Sequence, residues 1–196
     1  MTKSAYKTRK MVACAMLGAV SSVLMFFSFN VPLMPSFIKM DFSELPALLA
    51  SFSYGPLAGV TVCFIKNAVN LFTTSTGGVG ELSNFMLGCM FVVPAGVIYQ
   101  KIRSKKGALL GAFMGAVFMA GLSVVTNYFI VYPVYTVFMP METIMGMYQA
   151  IYPPVKNLWQ ALVIFNMPFT FIKAMTNVLM TMFIYKPLSP LLKGRQ

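Results

Sequence analysis

The chain runs to 196 residues, 58% of them hydrophobic and only 10% charged, with a mean hydropathy of +0.76. Too little polar surface remains for a soluble domain, so the composition is that of an integral membrane protein. The formal charge of +11 is carried by residues that flank apolar runs and form no continuous stripe, which excludes a nucleic-acid surface and leaves orientation and attraction to anionic lipid.

Met1 to Lys10 is a short basic start holding Lys3, Lys7, Arg9 and Lys10. The apolar run 11–29 has no small-residue cleavage site after it, and further spans follow, so it reads as a retained first helix. Residues 30–44 form a loop punctuated by Pro32 and Pro35. From Leu45 to Phe72 the chain is again apolar, broken by Tyr54-Gly55-Pro56. Read as one helix, this stretch would place the cluster Lys101, Arg103, Lys105 and Lys106 outside, against the positive-inside bias. Splitting it at Gly55-Pro56, a strong turn signal, returns the cluster to the cytoplasm. The two pieces, 45–55 and 57–72, are then short for a bilayer of ~30 Å. They need packing inside a bundle, a tilt, or extension by loop residues.

Further spans follow at 85–99, 107–131 and 158–185, the last trailed by Lys186, Lys193 and Arg195. The expectation is an all-α integral membrane protein of six transmembrane helices in a single bundle, one domain over residues 1–196, with both termini cytoplasmic. Loops 30–44, 73–84 and 132–157 then face outward, and they contain all four acidic residues, Asp41, Glu44, Glu81 and Glu142. No internal repeat is evident, which argues against an inverted-repeat transporter.

In the last span Asn166, Thr170, Lys173 and Asn177 recur at helical spacing and share one face. Lys173 lies roughly 20 Å from the cytoplasmic end at 1.5 Å per residue, too deep to reach water easily. Such a stripe either binds a ligand or hydrogen-bonds a neighbouring helix. Residues 73–81, rich in Thr and Gly, lack the P-loop pattern. Their glycines suit close backbone approach to a ligand, and equally an ordinary turn. Asn127, followed by Tyr128 and Phe129, places an amide beside aromatic faces; an interfacial belt explains the two rings equally well. Lys66, Asn67 and Asn70 form a polar patch near the outer end of the third span, with Lys66 read as a structural lysine that snorkels outward. Gly107, Gly111 and Gly115, and likewise Ala15 and Ala19, are small-residue faces. Internal packing suits the first set, contact with a partner subunit the second.

Catalytic and metal chemistry find no foothold. There is no His, the three cysteines form no CxxC pair, and on this reading no acidic residue is embedded in the membrane. Cofactors are therefore not expected.

Several segments together resemble a known family. They are Asp41 through Leu48, Tyr54 through Gly59, Thr73 through Asn84, Gly107 through Gly111, Asn127-Tyr128-Phe129, and Pro168-Phe169 with Ile172-Lys173. In this order they resemble the riboflavin-specific substrate-binding (S) components of energy-coupling factor transporters, over roughly residues 7–193. The resemblance implies a six-helix bundle in the bacterial plasma membrane that captures riboflavin from outside. It also implies that a transmembrane coupling subunit and two cytoplasmic ATPases drive uptake. It points to Asn127, Thr170 and Lys173 as ligand-binding, with the loop around Leu45 and the segment holding Thr74, Gly77, Gly78 and Gly80 closing over the ligand. It gives Ala15 and Ala19 the docking face for the coupling subunit. The pattern departs at Thr170, where the family more often has Asn; Asn166, one turn earlier, is positioned to compensate. Whether the mononucleotide FMN is also accepted stays open, and the rival readings are an S component for thiamine or biotin, or a small membrane enzyme or scaffold.

Overall fold

The computed structural model describes residues 3–74 and 76–193; Ser75 of the Gly-rich loop and Arg195 of the last basic cluster lie outside the described residues. Helix α1 (Lys3–Phe26) leads into a two-residue antiparallel ribbon, β1 (Phe29–Asn30) and β2 (Lys39–Met40), in which Phe29 pairs with Met40. Helices α2 (Glu44–Tyr54) and α3 (Pro56–Asn70) follow, then α4 (Val79–Lys101) and α5 (Lys105–Thr126). A π-helical turn, Asn127–Val131, continues α5 into α6 (Tyr132–Tyr135), and α7 (Met141–Ile151) stands apart. Helix α8 (Leu158–Ala161) passes through a second π-helical turn, Leu162–Asn166, into α9 (Met167–Lys193).

Among the described residues five helical stretches are long and apolar enough to cross a membrane: 4–26, 56–73, 79–101, 105–135 and 158–184. The all-α membrane fold expected from composition is therefore present. The sixth expected span is the exception. Helix α2 has 11 residues, about 16 Å at 1.5 Å per residue, and covers only half a bilayer. Its shortness has a visible cause, because the chain ahead of it, residues 41–43, is already inside the bundle as a turn, with the Leu45 N–H donating to the Phe42 carbonyl oxygen at 3.2 Å. Asp41, Ser43 and Glu44 are 2%, 0% and 0% exposed. The break between α2 and α3 falls at Gly55, whose φ of 96° is left-handed and costs least without a Cβ, and Pro56 opens the next helix.

Small residues set the closest helix contact. A Cβ on Gly115 would stand 2.5 Å from the Phe91 carbonyl oxygen, and one on Gly111 would stand 2.6 Å from that of Ala95. Helices α4 and α5 therefore meet backbone to backbone, the internal role expected for this glycine row. At the start of α5 the Ser104 hydroxyl accepts the Gly107 N–H at 3.0 Å, capping the helix. Two apolar cores result. One is built from Cys14, Leu48, Val62, Phe91, Val92, Ala112 and Val178. The other gathers Val79, Val124, Tyr132, Ile144, Tyr148 and Leu162, and seats α7 on the end of α5, on α6, and on α8 with the π-helical turn after it.

Candidate functional site

Between the two cores lies a cavity of about 350 Å³, within the range of small-molecule sites. Each wall comes from a different element. Helix α9 and its π-helical turn supply Asn166, Phe169, Thr170 and Lys173; the end of α5 supplies Asn127, Val131 and Tyr132; α4 supplies Gly80, Glu81, Ser83 and Asn84. The ribbon and the connection after it add Phe37, Ile38, Lys39 and Asp41. Both π-helical turns among the described residues thus open onto this cavity, with Asn127 and Asn166 on them. A π turn widens the helix and re-aims its side chains, and such turns concentrate at functional sites.

The polar residues are held in place by named partners. Lys173 donates to Asp41 Oδ2 at 2.6 Å. The other Asp41 oxygen accepts the Ser43 N–H at 2.9 Å and its hydroxyl at 2.5 Å. Asn177 Nδ2 donates to the Asp41 carbonyl oxygen at 3.2 Å, so α9 grips the connection at two points. Asn127 Oδ1 accepts from Ser83 Oγ at 3.3 Å, leaving its amide N–H groups to the cavity side. Asn166 is bound to Tyr148 and Tyr132.

The charges lining the cavity are two acids, Asp41 and Glu81, and two lysines, Lys39 and Lys173. Their sum is zero. With Phe37, Phe169, Tyr132 and Tyr135 around them, the cavity suits a neutral ligand with flat apolar faces and polar edges.

A family model for the ECF transporter, substrate-specific component, matches residues 9–185. The chain belongs to this family. It is 30% identical over 187 residues to the "Riboflavin transporter RibU" of Staphylococcus aureus (strain TCH60), covering 95% of this chain and 94% of that one. Against the "Riboflavin transporter FmnP" of Bacillus subtilis (strain 168) it is 37% identical over 136 residues, 68% of this chain and 72% of the other. A solved structure reported as "Structure and mechanism of the S component of a bacterial ECF transporter" superposes with a TM-score of 0.76 at 29% identity, covering 96% and 99% of the two chains. This S component is accordingly a multi-pass protein of the bacterial plasma membrane. Its relatives are transport components and not enzymes.

The residues singled out from sequence fall into three groups. Asn127, Asn166, Thr170, Lys173 and Gly80 line the cavity of the S component together. Gly77 lines an adjoining outer hollow with Asn30, Ser36, Lys39, Thr76 and Phe138. Leu45, Thr74 and Gly78 line neither. Leu45 is buried at the start of α2, while the Thr74 hydroxyl accepts the Gly78 N–H at 3.0 Å and donates to Glu81 at 2.8 Å, so it shapes the loop. Ala15 and Ala19 are exposed on α1 and line neither the cavity nor the outer hollow; α1 reaches the cavity only at its end, with Met25 and Phe26.

Two expectations are overturned. Lys66 does not snorkel outward: it is 0% exposed and donates to Glu44 Oε1 at 2.5 Å, Ser43 Oγ at 2.7 Å and Asn84 Oδ1 at 3.1 Å. Nor are the acids confined to outer loops, since Asp41 and Glu44 are buried in the bundle as partners of two lysines. The physical reason is shared. A buried ammonium needs a counter-charge, and the descending connection brings one to each lysine. Asp41, Glu81, Asn84, Tyr132 and the ribbon were missed as lining residues. The usable signal was Lys173, a deep lysine with no acidic residue anywhere on its own helix.

Proposed function

We propose that this S component captures riboflavin in the cavity between its two cores, from the outer face of the membrane. The observation that carries the reading is the cavity's balance of charge combined with its amides and aromatic walls. Riboflavin is uncharged, flat and rimmed with carbonyls, ring nitrogens and hydroxyls. Thiamine carries a positive charge and biotin a carboxylate, and either would unbalance a site whose lysines and acids already cancel. Relatives named riboflavin transporters support the same choice.

In this reading the flavin stacks among Phe37, Phe169 and Tyr132, and Asn127 donates to its pyrimidine-like edge. Lys173, held by Asp41, keeps further N–H bonds for a carbonyl or ribityl oxygen. Thr170 offers a single donor, and Asn166 supplies the amide one turn earlier. Neither the cavity nor the chain carries a nucleotide-hydrolysing motif, so import draws on partners. A transmembrane coupling subunit docks on the Ala15–Ala19 face, and two cytoplasmic ATPases hydrolyse ATP.

The test is optical. Protein purified in mild detergent is titrated with riboflavin while flavin fluorescence is followed, with thiamine and biotin as competitors. Saturable quenching that neither competitor reverses supports the reading. No quenching at micromolar riboflavin refutes it, and displacement by thiamine or biotin transfers the protein to that vitamin.

A further inference from the structure

Tyr132 and Asn166, which line the cavity, close a ring of hydrogen bonds with Tyr148 behind them. The Tyr148 hydroxyl donates to Asn166 Oδ1 at 2.7 Å, Asn166 Nδ2 donates to the Tyr132 oxygen at 3.3 Å, and the two hydroxyls bond each other. Since the Tyr148 proton goes to Asn166, the Tyr132 proton goes to Tyr148, and every member donates once and accepts once. The ring could also run backwards with the amide turned over. Distances decide against that. An O–H···O bond prefers ~2.7–2.8 Å and an N–H···O bond ~2.9–3.0 Å, so the oxygen belongs on the shorter contact, with Tyr148.

Tyr148 is 0% exposed and sits on α7, outside the spans and outside the cavity lining. Burial pushes its hydroxyl well above the ordinary tyrosine range, so it stays a donor at any working pH. Its ring is fixed by Phe37 and Phe165, with centroids at 6.1 and 5.4 Å. Asn166, by contrast, lines the cavity. The ring consumes only one of its two N–H bonds, and an amide fixed in one orientation presents the second as a donor.

We propose that Tyr148, through this ring, is a positioning residue that fixes Asn166 as a hydrogen-bond donor to an acceptor oxygen or nitrogen of the bound flavin. The claim rests on the riboflavin reading and adds to it a specificity element reached from α7. It also accounts for how an amide at 166 can serve where Thr170 supplies a single hydroxyl.

Riboflavin titration of four variants tests it, with the wild type as control and each variant's fold checked by melting without ligand. Asn166→Asp keeps an acceptor for both tyrosine hydroxyls but removes the donor. It is expected to bind riboflavin about tenfold more weakly, as is Asn166→Ala. Tyr148→Phe keeps the aromatic packing and loses only the hydroxyl; affinity falls several-fold. Tyr148→Phe/Asn166→Ala binds no more weakly than Asn166→Ala alone, because the hydroxyl acts only through the amide. Wild-type affinity in Asn166→Asp, or a Tyr148→Phe loss that adds in full to that of Asn166→Ala, overturns the proposal while leaving riboflavin capture standing. Should Asn166→Asp not fold, the Tyr148→Phe cycle decides alone. Failure of the wild type to bind riboflavin overturns both readings at once.

Discussion

Lys66→Met is the sharpest test of the buried ion pairs. The substitution keeps the length and apolar volume of the stem and removes the ammonium. It strands the Glu44 carboxylate, which is 0% exposed and, among the described residues, would retain only the Cys63 thiol at 3.8 Å as a side-chain partner. An uncompensated buried charge of this kind costs about 3–5 kcal/mol. At ~2–4 °C per kcal/mol for a chain of this size, melting falls by about 6–20 °C. Lys66→Met/Glu44→Gln removes both charges, and neutral replacements of a buried pair often match it in stability, so most of the loss returns. The assay is a temperature ramp in mild detergent at a fixed scan rate, read by intrinsic fluorescence, since such unfolding is commonly irreversible. Melting of Lys66→Met within about 2 °C of the wild type would refute the argument. So would a double variant whose loss equals the sum of the two single losses.

Lys173→Ala is expected to weaken the fold as well as riboflavin binding, because it leaves Asp41 unpaired at 3% side-chain exposure. Asp41→Asn/Lys173→Met should melt closer to the wild type and still bind riboflavin at least tenfold more weakly, measured by quenching. Gly115→Leu places a side chain where the Phe91 carbonyl oxygen lies 2.5 Å from the new Cβ, so it should reduce the yield of folded protein far more than Gly121→Leu, whose Cβ meets nothing within 4 Å. For pH, the raised Tyr148 value means the folded state holds this proton more tightly than the unfolded chain does. Its contribution is complete below the ordinary tyrosine value of about 10 and is lost only as pH rises through the higher folded value. Riboflavin affinity should therefore be level between about pH 6 and 9; a titration midpoint inside that window contradicts the assignment.

The parts of the fold written in local chemistry were legible. Gly55-Pro56 combines a left-handed turn residue with a helix opener, and charge placement independently demanded a break there. The α9 stripe was legible because 3.6-residue periodicity alone puts Asn166, Thr170, Lys173 and Asn177 on one face, and all four are buried. What escaped depends on packing between distant segments. The descent of residues 41–43 has no periodic pattern, and its reason is a lysine more than a hundred positions away. Both π-helical turns arise where a helix accommodates a cavity, a condition no local run of residues specifies. Helix α7, with Ile144 and Tyr148 on its buried side, is too short to span and was absorbed into a loop. Lys66 is structural as its sequence context suggests, but it points to Glu44 inside the bundle and not outward, a pairing that no local pattern specifies.

Capture of riboflavin from outside requires a cavity open to the medium. Ser36, exposed on the ribbon and lining the outer hollow, reports on it directly. Ser36→Cys is made in a background lacking Cys14, Cys63 and Cys89 and treated in intact cells with a membrane-impermeant maleimide. Labelling is expected from outside, and micromolar riboflavin is expected to slow it. Labelling only after the membrane is opened, or at a rate riboflavin does not change, would contradict capture from outside.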